Sequence, residues 1–359
     1  MSVQRESVIA SVQRESVIAT TADGVRLHLT RVIASELASR RPTRGAVVLQ
    51  HGLGSNGGVF LVPQLSLAER LAELGYDCFV SELRGAGLSG RPAKGWCLGD
   101  YLAFDMPAVI ATVCQVSGHP RVHWIGHSLG GVMMMLYGID QPDAPIERLI
   151  TVGSALDYKP GRNIYRSLRA LRPVASFLPS IPFGALSWLN AQVAGIGPSF
   201  LAEGMNFQRS NIDRAVARRL LASGFTSIPI PLLDELNTTF DELGFQLSGR
   251  DAYLPRAAAL RTPTLMIGGS ADPQCPPEAT EASFALLAGV QDKRRVTFGK
   301  AYGEADDYGH FDLLVGKRAA SEVWPHIEAF LGGAASPQRD SADPARAPHF
   351  AVEHGPNSS

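Results

Sequence analysis

Cysteine is sparse in this chain of 359 residues. Cys78, Cys97, Cys114 and Cys275 are the four present, and no two of them form a C-x-x-C pair. So few thiols cannot staple a chain of this length, and buried, reduced cysteines are the expectation. Net charge is equally scarce: 33 Lys and Arg against 34 Asp and Glu leave a formal charge of −1. Such a balance supplies no broad field to gather nucleic acid or an anionic membrane surface. Also missing is any apolar run near the roughly 18 residues that would suggest a bilayer span. The first residues show no basic stretch followed by an apolar one, the pattern of a secretory leader. These absences give the expectation of a cytoplasmic protein with no integral membrane segment and no nucleic-acid partner. What is plentiful is apolar side chain: 45% of residues are hydrophobic and 19% charged. That composition supports a substantial core, and the length suits one large domain with an insertion, or two domains.

The chain opens on a perfect tandem copy, SVQRESVIA at Ser2 to Ala10 and again at Ser11 to Ala19. Nine residues are too few for a solenoid unit. The second copy runs into Thr20-Thr21-Ala22-Asp23-Gly24 and then the alternating Val25 to Thr30, which predicts a β-hairpin around an Asp-Gly turn. The first copy then has no partner, and residues 1–19 are set apart as a duplicated, loose N-terminal extension. From Ala46 strands and helices alternate. Strands are predicted at Ala46 to Gln50, Tyr76 to Val80, Val122 to Ile125 and Leu149 to Val152. Helices are predicted at Leu61 to Leu74, Tyr101 to Val116 (with Asp100 as N-cap) and Ser128 to Tyr137. Near-continuous apolar strands alternating with helices indicate a parallel sheet covered on both faces.

The alternation stops near Ser154 and resumes at Thr264 to Ile267, followed by a helix (Pro277 to Leu287), a strand (Arg295 to Phe298) and a last helix (Ala319 to Leu331). The core is therefore assigned to 20–153 and 262–331, and 154–261 to a helical cap. In the cap, Arg162, Arg166 and Arg169 share one helical face, expected to be solvated, and Ile164, Leu168 and Leu171 another. Pro173, Pro179 and Pro182 follow among Phe177, Leu178, Ile181, Phe183 and Trp188. Asn211 is read as the cap of a helix through Leu221, and Pro231 as the start of one reaching Leu243. The tail, 332–359, is rich in Gly, Ala, Pro, Ser and charge and is expected to be disordered.

Chemistry concentrates at Gly126-His127-Ser128-Leu129-Gly130-Gly131, a G-x-S-x-G between a predicted strand and a predicted helix. A serine on so sharp a turn is an exposed nucleophile, and glycines beside it spare the neighbouring strand and helix from collision. Serine needs a base to take its proton, an acid to orient that base, and donors for the oxyanion that forms on attack. His310 is the only one of nine histidines between Ser128 and the last helix, on a loop just before it. Asp272, in Gly268-Gly269-Ser270-Ala271-Asp272-Pro273, sits on the loop after a strand; Asp312 is read as a cap for the last helix. Backbone amides of Leu129 and of Leu53, in His51-Gly52-Leu53-Gly54-Ser55, are read as the oxyanion donors. His51 is expected to bond to backbone, and His127 to pack or to wall the pocket.

Taken together, these elements resemble the α/β-hydrolase superfamily over roughly Val25 to Leu331. Leu83-Arg84-Gly85-Ala86-Gly87-Leu88-Ser89 adds a turn that looks like the family's D-x-R-G-x-G-x-S, with Glu82 where the aspartate stands. Gly309-His310-Phe311-Asp312-Leu313-Leu314-Val315-Gly316 looks like the ending of the lipase and esterase branches. The resemblance implies an α/β fold, a mostly parallel sheet of the eight-stranded type flanked by helices, with a helical cap. It implies a serine hydrolase of apolar carboxylic esters that works through an acyl-serine, with Ser128, His310 and Asp272 as its triad and without cofactor or metal. An acyltransferase using the same triad and a non-catalytic binding homologue are the alternatives. The elbow fits no dinucleotide fingerprint, since it lacks the G-x-G-x-x-G order.

Overall fold

A computed structural model describes residues 12–35, 44–169, 178–192, 204–335 and 337. The first copy of the repeat, Leu171, Pro173, Phe177 and nearly all of the tail lie outside the described residues. Strands are numbered in chain order: β1 (Val12–Thr20), β2 (Arg26–Ala34), β3 (Ala46–Gln50), β4 (Asp77–Ser81), β5 (Val122–His127), β6 (Ile146–Val152), β7 (Ser180–Ile181), β8 (Ile228–Pro229), β9 (Thr264–Gly269) and β10 (Lys293–Phe298). Eight of them form one sheet in the order β1-β2-β4-β3-β5-β6-β9-β10, and β7 and β8 pair separately. β1 and β2, and β2 and β4, are antiparallel. From β4 to β10 every neighbouring pair is parallel.

The strands are nearly all apolar because both faces are covered. Every residue of β3, β4, β5 and β9 is buried. On one face pack Met106, Val109, Val132 and Met133, from the helices Met106–Ser117 and Leu129–Asp140. On the other pack Leu67, Leu71, Ile327 and Phe330, from Leu67–Glu73 and Trp324–Leu331. This is the layered α/β arrangement that strand–helix alternation implies.

Several boundaries differ from the sequence reading for local reasons. The hairpin expected from the second copy is present, β1 (Val12–Thr20) pairing with β2, Val12 opposite Ala34 and Thr20 opposite Arg26, across the Asp23-Gly24 turn, so only the grouping of residues 12–19 with a loose extension differs. The helix expected to start at Tyr101 starts at Leu98, and the Asp100 carboxylate reaches back to accept from the Cys97 amide at 2.8 Å. Tyr101–Asp105 is a π turn that leads into Met106–Ser117. Its last residue, Asp105, is buried against the equally buried Arg84 at 2.6 Å. The helix near 214 is capped by Asp213, not Asn211: the Asp213 side chain accepts from the Ala215 and Val216 amides. The helix expected to open at Pro231 and reach Leu243 spans Ile230–Asn237, where a 3₁₀ turn, Thr238–Phe240, takes over. The final helix is two pieces, Ala319–Glu322 and Trp324–Leu331, parted where Pro325 supplies no N–H.

One buried histidine makes the core sensitive to acid. His123, on β5, lies edge-on to Tyr76 with ring centroids 5.9 Å apart. Burial pushes its imidazole down to about 4. The folded state therefore holds it neutral, while an unfolded histidine charges below about 6.5. As pH falls from about 6.5 to about 4, the unfolded state takes up a proton that the native state refuses, so this contribution to stability is lost at about 1.4 kcal/mol per pH unit. Denaturant unfolding of wild type and His123→Gln across this range should show the wild type losing ground to the variant steadily as the solution is acidified. A constant difference between them would contradict this account.

Candidate active site

At the end of β5 the chain turns through Ser128 at φ 54, ψ −123, and the helix Leu129–Asp140 starts at the next residue. Among the described residues only Gln64 shares a positive φ without being glycine. Such a conformation costs about 1–3 kcal/mol and persists only where its surroundings enforce it. Here the Ser128 N–H donates to the Val152 carbonyl at 2.8 Å, and the Ser128 carbonyl accepts from the Gly131 amide at 3.0 Å and the Ser154 hydroxyl at 2.7 Å. The glycines are explained by contact as well as by conformation. A Cβ at Gly126 would land on the Gly130–Gly131 peptide, and one at Gly130 on the Gln50 carbonyl. Gly126→Ala should accordingly lose roughly 1–3 kcal/mol or more of stability, the range for overpacking a tight core, in urea unfolding. A Cβ at Gly52 would instead come within 2.6 Å of the Ser128 Cβ and 3.2 Å of its Oγ, so Gly52→Ala should impair turnover more than folding.

The structure brings Asp272 and His310 together from separate loops. Asp272 follows β9 and His310 precedes the short helix Asp312–Val315. Asp272 Oδ2 accepts from His310 Nδ1 at 2.7 Å, and both side chains are almost fully buried. Asp272 Oδ1 accepts from the Gln274 and Cys275 amides at 2.8 and 3.0 Å. With both oxygens engaged the carboxylate cannot swing. The network assigns the ring proton to Nδ1, which leaves the Nε2 lone pair available. Gly153 (φ +63) backs this pair: a Cβ there would sit 3.0 Å from His310 Nδ1 and 3.3 Å from Asp272 Oδ2. Ser128 and His310 line the same cavity of about 250 Å³. A second cavity of about 80 Å³ also reaches Ser128, with Leu53 and Leu129 in its wall. Leu129 is the first residue of its helix, where amides have no intrahelical acceptor.

The remaining polar residues take supporting positions. Asp312 does not cap the last helix. Its Oδ2 accepts from the Gly309 amide at 2.9 Å and the Gln208 amide at 2.6 Å, tying the His310 loop to the insertion. Burial pushes its carboxyl up to about 7, against the opposing pull of those two donors. His51 bonds to backbone as expected: Nδ1 donates to the Gly52 carbonyl at 2.9 Å and Nε2 accepts from the Leu83 amide at 3.2 Å. Glu82 fills the aspartate's place in its turn by accepting from the Gly57 amide through both oxygens at 3.1 Å. His127 packs behind His310, with ring centroids 4.6 Å apart, and its Nε2 donates to the His310 carbonyl at 3.1 Å. Burial first, then the neighbouring His310 ring, hold its imidazole well below the usual histidine range. It is thus a neutral donor that braces the histidine loop.

Sequence reading missed how the insertion is fastened to the acid loop. Asn163 caps the helix Ile164–Leu168, and its Nδ2 donates to the Gln274 carbonyl at 2.5 Å. The Ile164 amide donates to the Pro273 carbonyl at 2.9 Å, and the Tyr165 hydroxyl donates to Gln274 Oε1. Gln274 Nε2 in turn donates to the Met205 carbonyl at 2.9 Å and Asn206 Oδ1 at 3.1 Å. Only the adjacency of Gln274 to Asp272 hinted at this. The arginine face is more than solvated, since Arg166 and Arg169 both lie over the Phe240 ring at 5.7 Å. Among the described residues no helix is long and apolar enough to cross a membrane.

Comparison with known proteins agrees with this architecture. Residues 41–304, roughly three quarters of the chain, match the family model described as "Serine aminopeptidase, S33". Lipase 1 of Drosophila melanogaster is 34% identical over 122 residues, which are 31% of this chain and 26% of that protein. The chain thus spans only about a quarter of the length of this lipase. A protein of Klebsiella pneumoniae (strain 342) named "Putative carbamate hydrolase RutD" is 25% identical over 250 residues, 70% of this chain and 82% of that one. Among solved structures, the monoacylglycerol lipase of Paleococcus ferrophilus superposes with a TM-score of 0.56 at 18% identity, covering 90% of this chain and 100% of that one. At that identity the likeness concerns the fold alone.

Proposed function

The chain belongs to the serine aminopeptidase S33 family of α/β-hydrolases, and from that premise we propose that it hydrolyses carboxylic esters through an acyl-serine formed on Ser128. The observation that carries the reading is the buried Asp272–His310 pair facing a cavity that Ser128 also lines. His310 Nε2 takes the Ser128 Oγ proton as Oγ attacks the carbonyl carbon. Asp272 keeps the proton on Nδ1 and stabilises the imidazolium. The Leu53 and Leu129 amides hold the oxyanion, its collapse breaks the bond to the alcohol oxygen, which leaves with the proton from His310, water activated by His310 then releases the acid, and no cofactor or metal takes part. A small-molecule, mainly apolar ester is the substrate class, because leucine and phenylalanine side chains line both cavities and isoleucines add to the larger.

The test is a matched panel of p-nitrophenyl esters and p-nitroanilides, with a fluorophosphonate probe to mark the nucleophile. Ester turnover together with labelling that disappears in Ser128→Ala supports the proposal. Faster cleavage of the anilide would overturn it in favour of peptide hydrolysis. Product partitioning to added alcohol or thiol at the expense of water would make the protein an acyltransferase.

A further inference from the structure

We propose that the two cavities meeting at Ser128 divide the ester unequally, so that this protein prefers short acyl chains on bulky, amphipathic alcohols. The inference rests on the triad reading above and follows from where the leaving group must be. Attack forms the Oγ–carbon bond as the carbonyl π pair moves onto oxygen and the Oγ proton passes to His310 Nε2. On collapse the bond from carbon to the alcohol oxygen breaks, and that oxygen takes the proton from His310. The alcohol must therefore lie on the His310 side.

Of the two cavities, His310 lines only the larger, of about 250 Å³. Leu129, whose amide is assigned to the carbonyl oxygen, lines only the smaller, of about 80 Å³. With the alcohol on the His310 side and the carbonyl oxygen at the Leu129 amide, the acyl chain is the remaining substituent on the attacked carbon, and the smaller cavity is the other space that reaches Ser128. Leu53, Tyr165, Leu233 and Asn237 border both and form the junction.

Size then sets the acyl length. An apolar cavity of about 150 Å³ accommodates benzene, so a space of about 80 Å³ favours acyl chains smaller than that ring. Val132, Leu236 and Phe245 line the smaller cavity and not the larger, and make it apolar. The larger cavity is mixed. Ile181, Phe183 and Phe225 give it apolar walls, while Arg169, Asp234 and Asn206 bring charge and hydrogen-bonding groups. An alcohol with an apolar body and a polar end matches that lining, and it has about three times the room of the acyl side.

The experiment measures kcat/KM for p-nitrophenyl acetate, butyrate, octanoate and laurate, and for butyrate esters of ethanol and of 2-phenoxyethanol, two primary alcohols of similar leaving ability. The expected profile peaks at acetate or butyrate, falls at least tenfold by octanoate, and favours the phenoxyethyl over the ethyl ester. Leu236→Ala should raise the octanoate-to-acetate ratio and Leu236→Trp should lower the butyrate-to-acetate ratio, two opposite shifts that misfolding cannot mimic. Phe183→Trp should penalise the phenoxyethyl ester more than the ethyl ester. A profile that rises to octanoate or laurate, or ratios indifferent to both Leu236 variants, would overturn the division while Ser128→Ala remained inactive. Turnover undiminished in Ser128→Ala would instead remove the triad reading beneath it.

Discussion

Ser128→Ala is expected to lower kcat for any ester the protein turns over by on the order of 10⁵–10⁶, as loss of a triad nucleophile does elsewhere. The size of the loss follows from the geometry. Without Oγ no group on the elbow can form the acyl bond, and the buried His310 and Asp272 retain only the power to orient water. The variant should still fold. Ser128 is held by main-chain bonds, from its N–H to Val152 and from its carbonyl to Gly131 and Ser154, and alanine keeps all of them. Circular dichroism and the urea midpoint should stay near wild type while ester hydrolysis and fluorophosphonate labelling vanish. Retention of even a tenth of wild-type activity would mean that the nucleophile lies elsewhere.

Asp272→Asn and Asp312→Asn are expected to differ by about three orders of magnitude, although both carboxylates lie close to His310. At position 272 the oxygen that accepts the Gln274 and Cys275 amides must remain an oxygen. The new amide would therefore turn its NH₂ toward His310 Nδ1. That face would have to become an acceptor, which places the ring proton on Nε2, where the base is needed. The same wrong-tautomer effect costs about 10⁴ in the serine-protease triad. At position 312 one oxygen accepts both the Gly309 and Gln208 amides, and the other is buried without a hydrogen-bond partner. An amide fits there with its oxygen unchanged, so activity should stay within about tenfold of wild type.

The pH dependence of stability gives Asp312 a second signature. Burial raises the Asp312 carboxyl to about 7. The native state therefore keeps its proton to higher pH than the unfolded state, which releases it near 4. Wild-type stability accordingly falls as pH rises from about 4 to about 7, and Asp312→Asn should gain on wild type across that window. Equal activity losses at the two positions would mean that Asp272 is not the orienting acid.

How much was legible in advance depended on the range of the signal. Elements whose apolar period matches their own geometry were readable: the buried strands at Ala46, Val122 and Thr264 appear where continuous apolar runs required them. Boundaries set by distant partners were not. The helix expected at Tyr101 begins earlier because Asp100 caps backward onto Cys97 and Asp105 is drawn to Arg84. Asp312 looked like a helix cap because its second amide partner, at Gln208, lies more than a hundred residues away in the chain. Gly153 carried no recognisable motif, since its role is to leave room for a histidine that arrives from elsewhere.

By itself the sequence determined the patterns that are local in the chain. A serine between glycines at a strand–helix junction, an acid after a later strand and a histidine before the last helix are patterns within a few residues, governed by turn sterics and chain order. Only the tertiary structure decided which oxygen of Asp272 meets which nitrogen of His310, that His127 braces the histidine from behind, and that Gln274 fastens the insertion to the acid loop. The division of space at Ser128 into a small and a large cavity was decided there too. Cavities are bounded by side chains far apart in sequence, and no periodicity along one segment records where two distant segments leave a gap.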